Sequence, residues 1–142
     1  MINIDDHKKT GVQGRTSVDR LVGYDTDAAL KKARGIKHPW YRCQALTSVG
    51  AVLQSAKDAC AVLEEALSAA NELEEPNRIV TVSSWPIHVL VERNLRDVKR
   101  DVEHLLEVIS SEPHSLRRSD ALLSLFGATF PNKVNRHRVL GG

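Results

Sequence analysis

Three of the five prolines recur at a constant interval of 37 residues, at Pro39, Pro76 and Pro113. Each of them separates two stretches whose apolar residues follow the spacing of an amphipathic helix. Proline disfavours helical geometry in the residue before it, but it suits the first turn of a following helix, where its missing N–H would be unpaired anyway. The interval therefore predicts helices joined at regular junctions, and a constant period of this size indicates stacked helical repeats.

The apolar spacing between these junctions predicts six helices. The first is capped by Asp25, Thr26 or Asp27 and ends near Gly35, and the second begins at Pro39. Ser55-Ala-Lys-Asp58 fits the capping-box pattern and opens the third. The fourth runs from about 77 to 95 and contains Pro86, so we expect a kink or a short break at 83–86.

The last two helices follow the same logic. Asn94 or Asp97 caps the fifth, and Ser115 caps the sixth. In the second helix, Gly50 permits the close approach of a neighbouring helix. The apolar stripes of these helices are expected to be buried, with the following members: Ala45, Leu46, Val49, Val52 and Leu53 in the second; Val98, Val102, Leu105, Leu106 and Ile109 in the fifth; Leu116, Leu122, Leu125 and Phe126 in the sixth.

Composition agrees with an all-α fold. Aromatic residues make up only 4% of the 142 residues, whereas Ala and Leu are abundant, and β-rich domains depend on aromatic and β-branched side chains. A chain of this length forms one domain with a single core. We expect an N-terminal arm at 1–24, irregular except for one helical turn at 17–22, a helical domain at 25–130 with pairs at about 26–54, 56–95 and 97–130, and a flexible basic tail at 131–142.

The net charge of +2 is too small to argue by itself for a nucleic-acid partner. The N-terminal residues lack the apolar run of a signal peptide, and no stretch has the roughly 18 uninterrupted apolar residues of a membrane span. We therefore expect no membrane partner and a reducing, cytoplasmic location.

Two of the junctions share a short motif. Arg42-Cys-Gln-Ala-Leu46 matches Arg118-Ser-Asp-Ala-Leu122 at an offset of 76 residues, whereas the middle junction has Val80-Thr-Val-Ser-Ser84 instead. A helix, a Pro-bearing turn and a second helix with Arg followed by Ala-Leu resemble HEAT-like α-solenoids over about residues 26–129.

The resemblance implies a right-handed superhelical stack of about three antiparallel helix pairs, whose second helices line a concave face. Tetratricopeptide-like repeats are a close competitor, although their expected aromatic and Gly positions are mostly missing. A compact six-helix bundle is the third alternative. Stacked pairs share a continuous core, so the end pairs of a solenoid have to be covered, by the terminal segments or by homodimerisation through an end pair.

The sequence contains no pattern of residues that is typical of a catalytic site. Cys43 and Cys60 lie on different predicted helices without metal-ligand spacing, and the six histidines form neither an HxH nor an HExxH motif. The acidic residues at 64–75 are typical of a solvated helix face. We therefore expect no enzymatic activity, no metal and no cofactor.

The junctions gather Arg and aromatic side chains, which are common anchors of protein interfaces. In a solenoid they would repeat along one edge, so they form the predicted binding surface: Trp40, Tyr41, Arg42, Arg78, His114, Arg117 and Arg118, with Asn77 beside them. The competing interpretation is structural, with Arg42 and Arg118 bonded to carbonyls at helix ends and Trp40 in the core.

Two classes of function remain open. The first is a non-enzymatic protein-interaction module that presents a groove or ridge to an acidic segment of a protein partner. The alternative is nucleic-acid binding through basic surfaces. Those surfaces comprise Lys31, Lys32, Arg34 and Lys37 on the first helix, Arg93, Arg96, Lys99 and Arg100 before and within the fifth, and the basic tail.

Overall fold

The computed structural model describes residues 8–131, which form seven α-helices and contain no strand. The helices are α1 (Lys8–Leu21), α2 (Thr26–Arg34), α3 (Pro39–Val52), α4 (Ala56–Ala70), α5 (Pro76–Glu92), α6 (Lys99–Ser110) and α7 (Ser115–Ala128). The all-α class is confirmed, but the described residues contain seven helices where six were predicted. The predicted tail lies outside the described residues, apart from its first residue.

The additional helix is α1, so the predicted irregular arm is wrong over Lys8–Leu21. The two glycines that indicated a loop lie instead where α1 packs on the rest of the chain. A Cβ atom on Gly11 would lie 2.6 Å from Cδ2 of Tyr41, and one on Gly14 would lie 2.9 Å from Cγ1 of Ile36. Helical glycine loses about 1 kcal/mol relative to alanine, but here it allows a close approach that a side chain would prevent.

Side chains at the helix starts satisfy backbone N–H groups that have no partner within the helix. Asp25 accepts the N–H of Ala28, and Ser55 accepts that of Asp58, as predicted. Asp97 accepts the N–H of Lys99 at the start of α6, whereas Asn94 adopts a φ of 51° just beyond α5. The start of α7 differs from the prediction, because its N-cap is His114 and Ser115 is its first helical residue.

Helix α5 runs without interruption from Pro76 to Glu92, so of the kink or short break expected at 83–86 the break is absent. Pro86 has no N–H, and it therefore leaves the carbonyl of Val82 without its usual helical donor. The thiol of Cys43 on α3 donates to that carbonyl at 3.6 Å. The neighbouring helix thus supplies the donor that proline removes, and the helix continues.

The odd-numbered helices contact one another in the order α1, α3, α5 and α7, and α2, α4 and α6 pack chiefly against the helices that precede and follow them. Helices α3 and α5 run in parallel, since Trp40 near the start of α3 lies against Arg78 and Gly50 near its end accepts a hydrogen bond from Arg93. Helix α4 runs antiparallel to α3. Gly50 approaches Leu63 so closely that a Cβ atom would lie 2.7 Å from it, as the prediction for Gly50 required.

The core lies between these two sets of helices, and Leu46, Leu63, Ile87, Leu90 and Leu105 are among its largest fully buried side chains. The predicted stripe of α7 is only partly correct. Leu125 is buried and Leu122 half-buried, but Leu116 and Phe126 are exposed, as are Val52 on α3 and Leu106 on α6. Among residues 8–131, no helix is long and apolar enough to cross a membrane.

Candidate functional site

The corners that precede α3 and α7 share the same local interactions. Nδ1 of His38 accepts the N–H of Trp40 at 3.2 Å, and Nδ1 of His114 accepts that of Arg117 at 3.4 Å. Both imidazoles therefore act as helix N-caps, with the ring nitrogen in place of the usual side-chain oxygen. The helix after the middle junction, α5, has Glu75 as its N-cap, and the Glu75 side chain makes no capping hydrogen bond.

The arginines of these two corners also bond in the same way. Nη1 of Arg42 donates to the carbonyl of Ile36 at 3.0 Å, and Nη1 of Arg118 donates to the carbonyl of Glu112 at 2.9 Å. Arg42 donates in addition to the carbonyl of Lys37 and to the carboxylate of Glu72. Both guanidinium groups thus bind carbonyls of the segment that precedes their own helix.

The three prolines are not equivalent in the structure, although their spacing is constant. Pro39 and Pro76 are the first residues of α3 and α5, whereas Pro113 precedes the N-cap of α7. The prediction of equivalent junctions is therefore wrong for Pro113. The offset of 76 residues between the His and Arg pairs describes the two similar corners better than the proline interval does.

The structure brings two of the predicted binding residues into contact. The guanidinium carbon of Arg78 lies 5.3 Å from the ring centroid of Trp40, which is a cation–π distance. Tyr41 packs edge-on against His38, with 4.9 Å between centroids, and lies beneath Gly11 of α1. His114, Arg117 and Arg118 lie at the start of α7. Within residues 8–131, no hydrogen bond or ring contact joins these three to Trp40 or Arg78.

Three of the four arginines in the predicted basic surfaces bind carbonyl or carboxylate groups of the same chain. Arg93 donates to the carbonyls of Gly50 and Leu53, both at 2.6 Å, at the end of α3. Arg96 bonds Asp101 at 2.7 Å, and this carboxylate raises the pKa of Arg96. Arg34 makes a two-pronged pair with Glu65 at 2.9 Å, and the hydrogen bond raises its pKa as well.

The lysines of α2 are more accessible. Lys31, Lys32 and Lys37 are exposed and line one groove of about 730 Å³ together with Thr10 and Gly14 of α1. This lysine groove, like the exposed Lys99 and Arg100 at the start of α6, is a part of the predicted basic surface that is accessible to a ligand.

Cys43 does not have the environment of a nucleophile. Cys43 is fully buried, and burial raises the pKa of its thiol from about 9 to about 12, so the thiol stays protonated at neutral pH. Cys60 is half-buried, with its Sγ 3.8 Å from the carbonyl oxygen of Leu95. Within residues 8–131, no three His, Cys, Asp or Glu side chains lie close enough together to hold a metal ion.

A groove around Trp85, with several hydroxyl groups in its walls, was not predicted from the sequence. It measures about 440 Å³, and its walls include Thr47 of α3, Thr81, Ser84 and His88 of α5, and Ser124 of α7. The guanidinium carbon of Arg15 on α1 lies 5.0 Å from the Trp85 ring. Residues from four helices meet here, so a local pattern in the sequence contains no signal for this groove.

The outer face of α7 carries a second, mainly apolar stripe that continues to Phe130, two residues beyond the end of the helix. We call it the α7 seam: Leu116, Ser119, Leu123, Phe126 and Phe130. Its members follow each other at intervals of 3, 4, 3 and 4 residues, the spacing of a coiled-coil seam. Leu116 is 69% exposed, Leu123 70% and Phe126 66%. Phe126 and Phe130 pack edge to face, with 5.2 Å between ring centroids.

The α7 seam borders a groove of about 630 Å³ between α6 and α7. Val102 and Leu106 of α6 form one wall, and Leu122, Leu123 and Phe126 form the other. The lining is almost entirely apolar, so water in this groove has few hydrogen-bond partners. The arrangement suits an apolar side chain or helix face better than a polar ligand.

No protein-family model, curated protein or solved structure matches this chain. Three surfaces of the described residues are candidates for function: the lysine groove, the groove at Trp85 and the α7 seam with its neighbouring groove.

Proposed function

We propose that this protein is a non-enzymatic protein-interaction module that binds a helix along the α7 seam. One observation carries the proposal: Leu116, Leu123 and Phe126 are each about two-thirds exposed on one face of one helix. Leu106 and Phe130 are each almost half exposed. If a fully exposed large apolar side chain has an area of about 200 Å², the five residues together expose roughly 600 Å². That is the upper end for the largest apolar patch of a typical monomer, and such patches are commonly interaction sites.

A helix is the partner that this surface fits best. The 3-4 spacing of the α7 seam is the spacing at which two helices interdigitate their side chains. The groove between α6 and α7 offers the geometry in which an amphipathic helix lies along two others. Ser119 and Gly127 are small, and a Cβ atom on Gly127 would meet no side chain of residues 8–131 within 4 Å, which permits a close approach.

The two ends of the helical stack differ in how far they are covered, and this difference supports a helix as the partner of the α7 seam. At the N-terminal end α1 packs on α2 and α3 and buries Val18 completely. At the other end, no helix of residues 8–131 lies over the α7 seam. In a stack of helix pairs each pair is stabilised by its neighbour, so an uncovered end is where a further helix would add.

The contacts between helices support a HEAT-like solenoid, and this architecture forms part of the proposal. Successive odd-numbered helices touch each other, α3 and α5 run in parallel, and each even-numbered helix lies between its sequence neighbours. We propose a right-handed stack of three pairs, α2–α3, α4–α5 and α6–α7, with α1 as the N-terminal cap.

Of the residues predicted to bind an acidic segment, Arg117 fits this surface. It is exposed in the first turn of α7, one residue after Leu116 of the seam. An acidic residue of the bound helix would meet its guanidinium group at the rim, where charge chiefly affects the association rate and the choice of partner.

The test places a photo-crosslinking amino acid at Ser119 and, as a control, at Tyr24, which is 78% exposed and lies away from α7. In cells of the native host, we expect position 119 to form a defined crosslinked protein species and position 24 to form none. Adding Leu123→Glu should abolish the product, whereas adding Val52→Glu should not. A product that survives Leu123→Glu, or no product from position 119, would contradict the proposal.

Nucleic-acid binding remains the second candidate because Lys31, Lys32 and Lys37 share one open groove. Binding of nonspecific duplex DNA that weakens steeply with salt and is lost in the Lys31→Glu, Lys32→Glu double variant would favour it. The absence of binding at low salt would exclude it in favour of the protein-interaction proposal.

A further inference from the structure

We infer that the helix bound by the α7 seam is α7 of a second copy of this chain, packed antiparallel about a two-fold axis that crosses the seam between Leu123 and Phe126. The inference rests on the proposed function, because it names the partner of the same seam. It follows from the order of large and small side chains along the seam, from the exposed area and from the position of charge.

Four of the five seam residues are complementary in size to the seam in reverse order, and Leu116, at its end, has no partner within the seam. In an antiparallel pair centred between 124 and 125, Leu123 faces Phe126 of the second copy and Ser119 faces Phe130 of the second copy. The small side chain thus lies opposite the large one, so the two surfaces interdigitate. A parallel pair would place Ser119 opposite Ser119 and Phe130 opposite Phe130, which leaves a gap at one level and overcrowds the other.

The exposed apolar area is at the lower limit for a specific dimer. Each copy exposes roughly 600 Å² on these residues, with Leu106 and Leu116 included, so a contact that buried all of it in both copies would remove about 1,200 Å² from water, the lower limit for a specific interface. The contact is isologous, since each copy uses the same patch and the assembly closes at two copies.

Charge agrees with the antiparallel register. The five seam residues are uncharged, and the charge closest to the middle of the seam on its flank is Asp120. In the antiparallel pair Asp120 faces Thr129 of the second copy. A parallel pair would bring the two Asp120 carboxylates to the same level, where like charges repel.

The mass of the full chain is measured by sedimentation equilibrium from low to high micromolar concentration. We expect twice the 15.7 kDa chain mass for the wild type. Leu123→Glu with Phe126→Glu should raise the dimer dissociation constant at least about 30-fold, because central apolar residues dominate such interfaces. Tyr24→Glu should leave it unchanged, and circular dichroism should show the same helix content in all three proteins.

The register is tested with two single variants in a Cys60→Ala background, Leu123→Cys and Phe126→Cys. After mixing and mild oxidation, the antiparallel pair predicts a disulfide between the two different variants. A parallel pair would favour disulfides between identical variants instead, and that result would overturn the proposed arrangement.

Other outcomes separate this inference from the function on which it rests. If the protein is a monomer at all concentrations, the seam does not bind a second copy of this chain. The crosslink from Ser119 then identifies the partner that binds the α7 seam. A crosslink to a different protein leaves the proposed function intact, whereas one to residues 132–142 of the same chain overturns both. A dimer that is insensitive to Leu123→Glu with Phe126→Glu uses another surface and also overturns the inference.

Discussion

The thiol of Cys43 donates a hydrogen bond to the carbonyl of Val82, with Sγ and O 3.6 Å apart, and both residues are fully buried. The usual donor to this carbonyl would be the N–H of residue 86, which is proline. A buried carbonyl without a donor costs about 1–3 kcal/mol, so even a weak thiol donor stabilises the fold. The contact explains at once why α5 tolerates Pro86 and why a cysteine occupies the middle of α3.

The burial of Cys43 should make stability depend on pH in the alkaline range. Burial raises the pKa of its thiol to about 12 in the folded protein, whereas the unfolded chain loses that proton near pH 9. Its contribution is therefore complete below pH 9 and is lost as the pH rises towards 12. Relative to Cys43→Ala, the free energy of unfolding of the wild type should fall by up to about 1.4 kcal/mol per pH unit in this window. Urea unfolding at pH 8, 9 and 10 measures it, and parallel pH profiles would contradict it.

Cys43 and Pro86 should be energetically coupled. In Pro86→Ala the backbone N–H returns, and the carbonyl of Val82 regains its helical donor. Replacement of Cys43 by Ala should then cost less than in the wild type, with a coupling energy of about 0.5–1.5 kcal/mol. A double-mutant cycle from urea unfolding measures this energy. Additive effects of the two substitutions would show that the thiol contributes only packing.

The helical class and several helix boundaries could be predicted from the sequence because their causes are local. Asp25 and Ser55 cap their helices through backbone groups three residues away, and apolar spacing identifies a helix wherever one face is buried. These signals lie within one or two turns of chain, so no tertiary information was needed.

The missed features have causes that are distant in the sequence. Gly11 and Gly14 act as packing residues only because Tyr41 and Ile36 lie against them, and in isolation they indicate a loop. In the same way, the continuity of α5 through Pro86 depends on a thiol on another helix. Local propensity was outweighed in both cases by a tertiary contact.

The candidate site was missed for a different reason. Helix α7 carries apolar residues on two faces, and periodicity does not tell which of them packs on α5. Leu125 and Ala128 lie on the buried face, whereas Phe126 lies between them in sequence and points to the other side. The predicted stripe of α7 combines members of both faces, so the exposed seam did not appear as a surface.

The two helical glycines Gly50 and Gly127 should respond to alanine with opposite signs. A Cβ atom at Gly50 would lie 2.7 Å from the fully buried side chain of Leu63, and such overpacking costs about 1–3 kcal/mol. At Gly127 the Cβ atom meets open space, so Gly127→Ala should gain about 0.5–1 kcal/mol of helix propensity. Urea unfolding in a Leu123→Glu background, which excludes effects of association, measures both. Stabilisation by Gly50→Ala would contradict the close contact of α3 with α4.

Arg93 should be a major stabilising residue rather than part of a nucleic-acid surface. Its guanidinium group satisfies the carbonyls of Gly50 and Leu53 at the end of α3, where a positive charge also complements the helix dipole. Arg93→Met should lower the free energy of unfolding by about 2 kcal/mol, and Arg93→Lys should recover only part of this loss because an ammonium cannot span both carbonyls. Thermal or urea unfolding measures the effect. The matched control is Arg100→Met on the exposed side of α6, which should change stability by less than about 0.5 kcal/mol.

Arg42 and Arg118 occupy similar corners but should contribute different amounts to the free energy of unfolding. Arg42 donates to the carbonyls of Ile36 and Lys37 and to the carboxylate of Glu72, whereas Arg118 donates to the carbonyl of Glu112. Glu72 is more than half exposed, so solvent weakens that ion pair and the carbonyl bonds dominate. Arg42→Ala should therefore cost about 1–3 kcal/mol of stability, and Arg118→Ala about 1 kcal/mol.

Arg42→Ala and Arg117→Ala separate a structural role from a binding role. Under conditions in which both proteins remain folded, Arg42→Ala should leave the crosslink from Ser119 unchanged, because Arg42 lies on α3 and bonds within its own corner. Arg117→Ala should lower the crosslink yield without a loss of stability, because Arg117 is exposed beside the α7 seam. Loss of the crosslink in folded Arg42→Ala would instead extend the binding surface to the first corner, as the sequence pattern predicts.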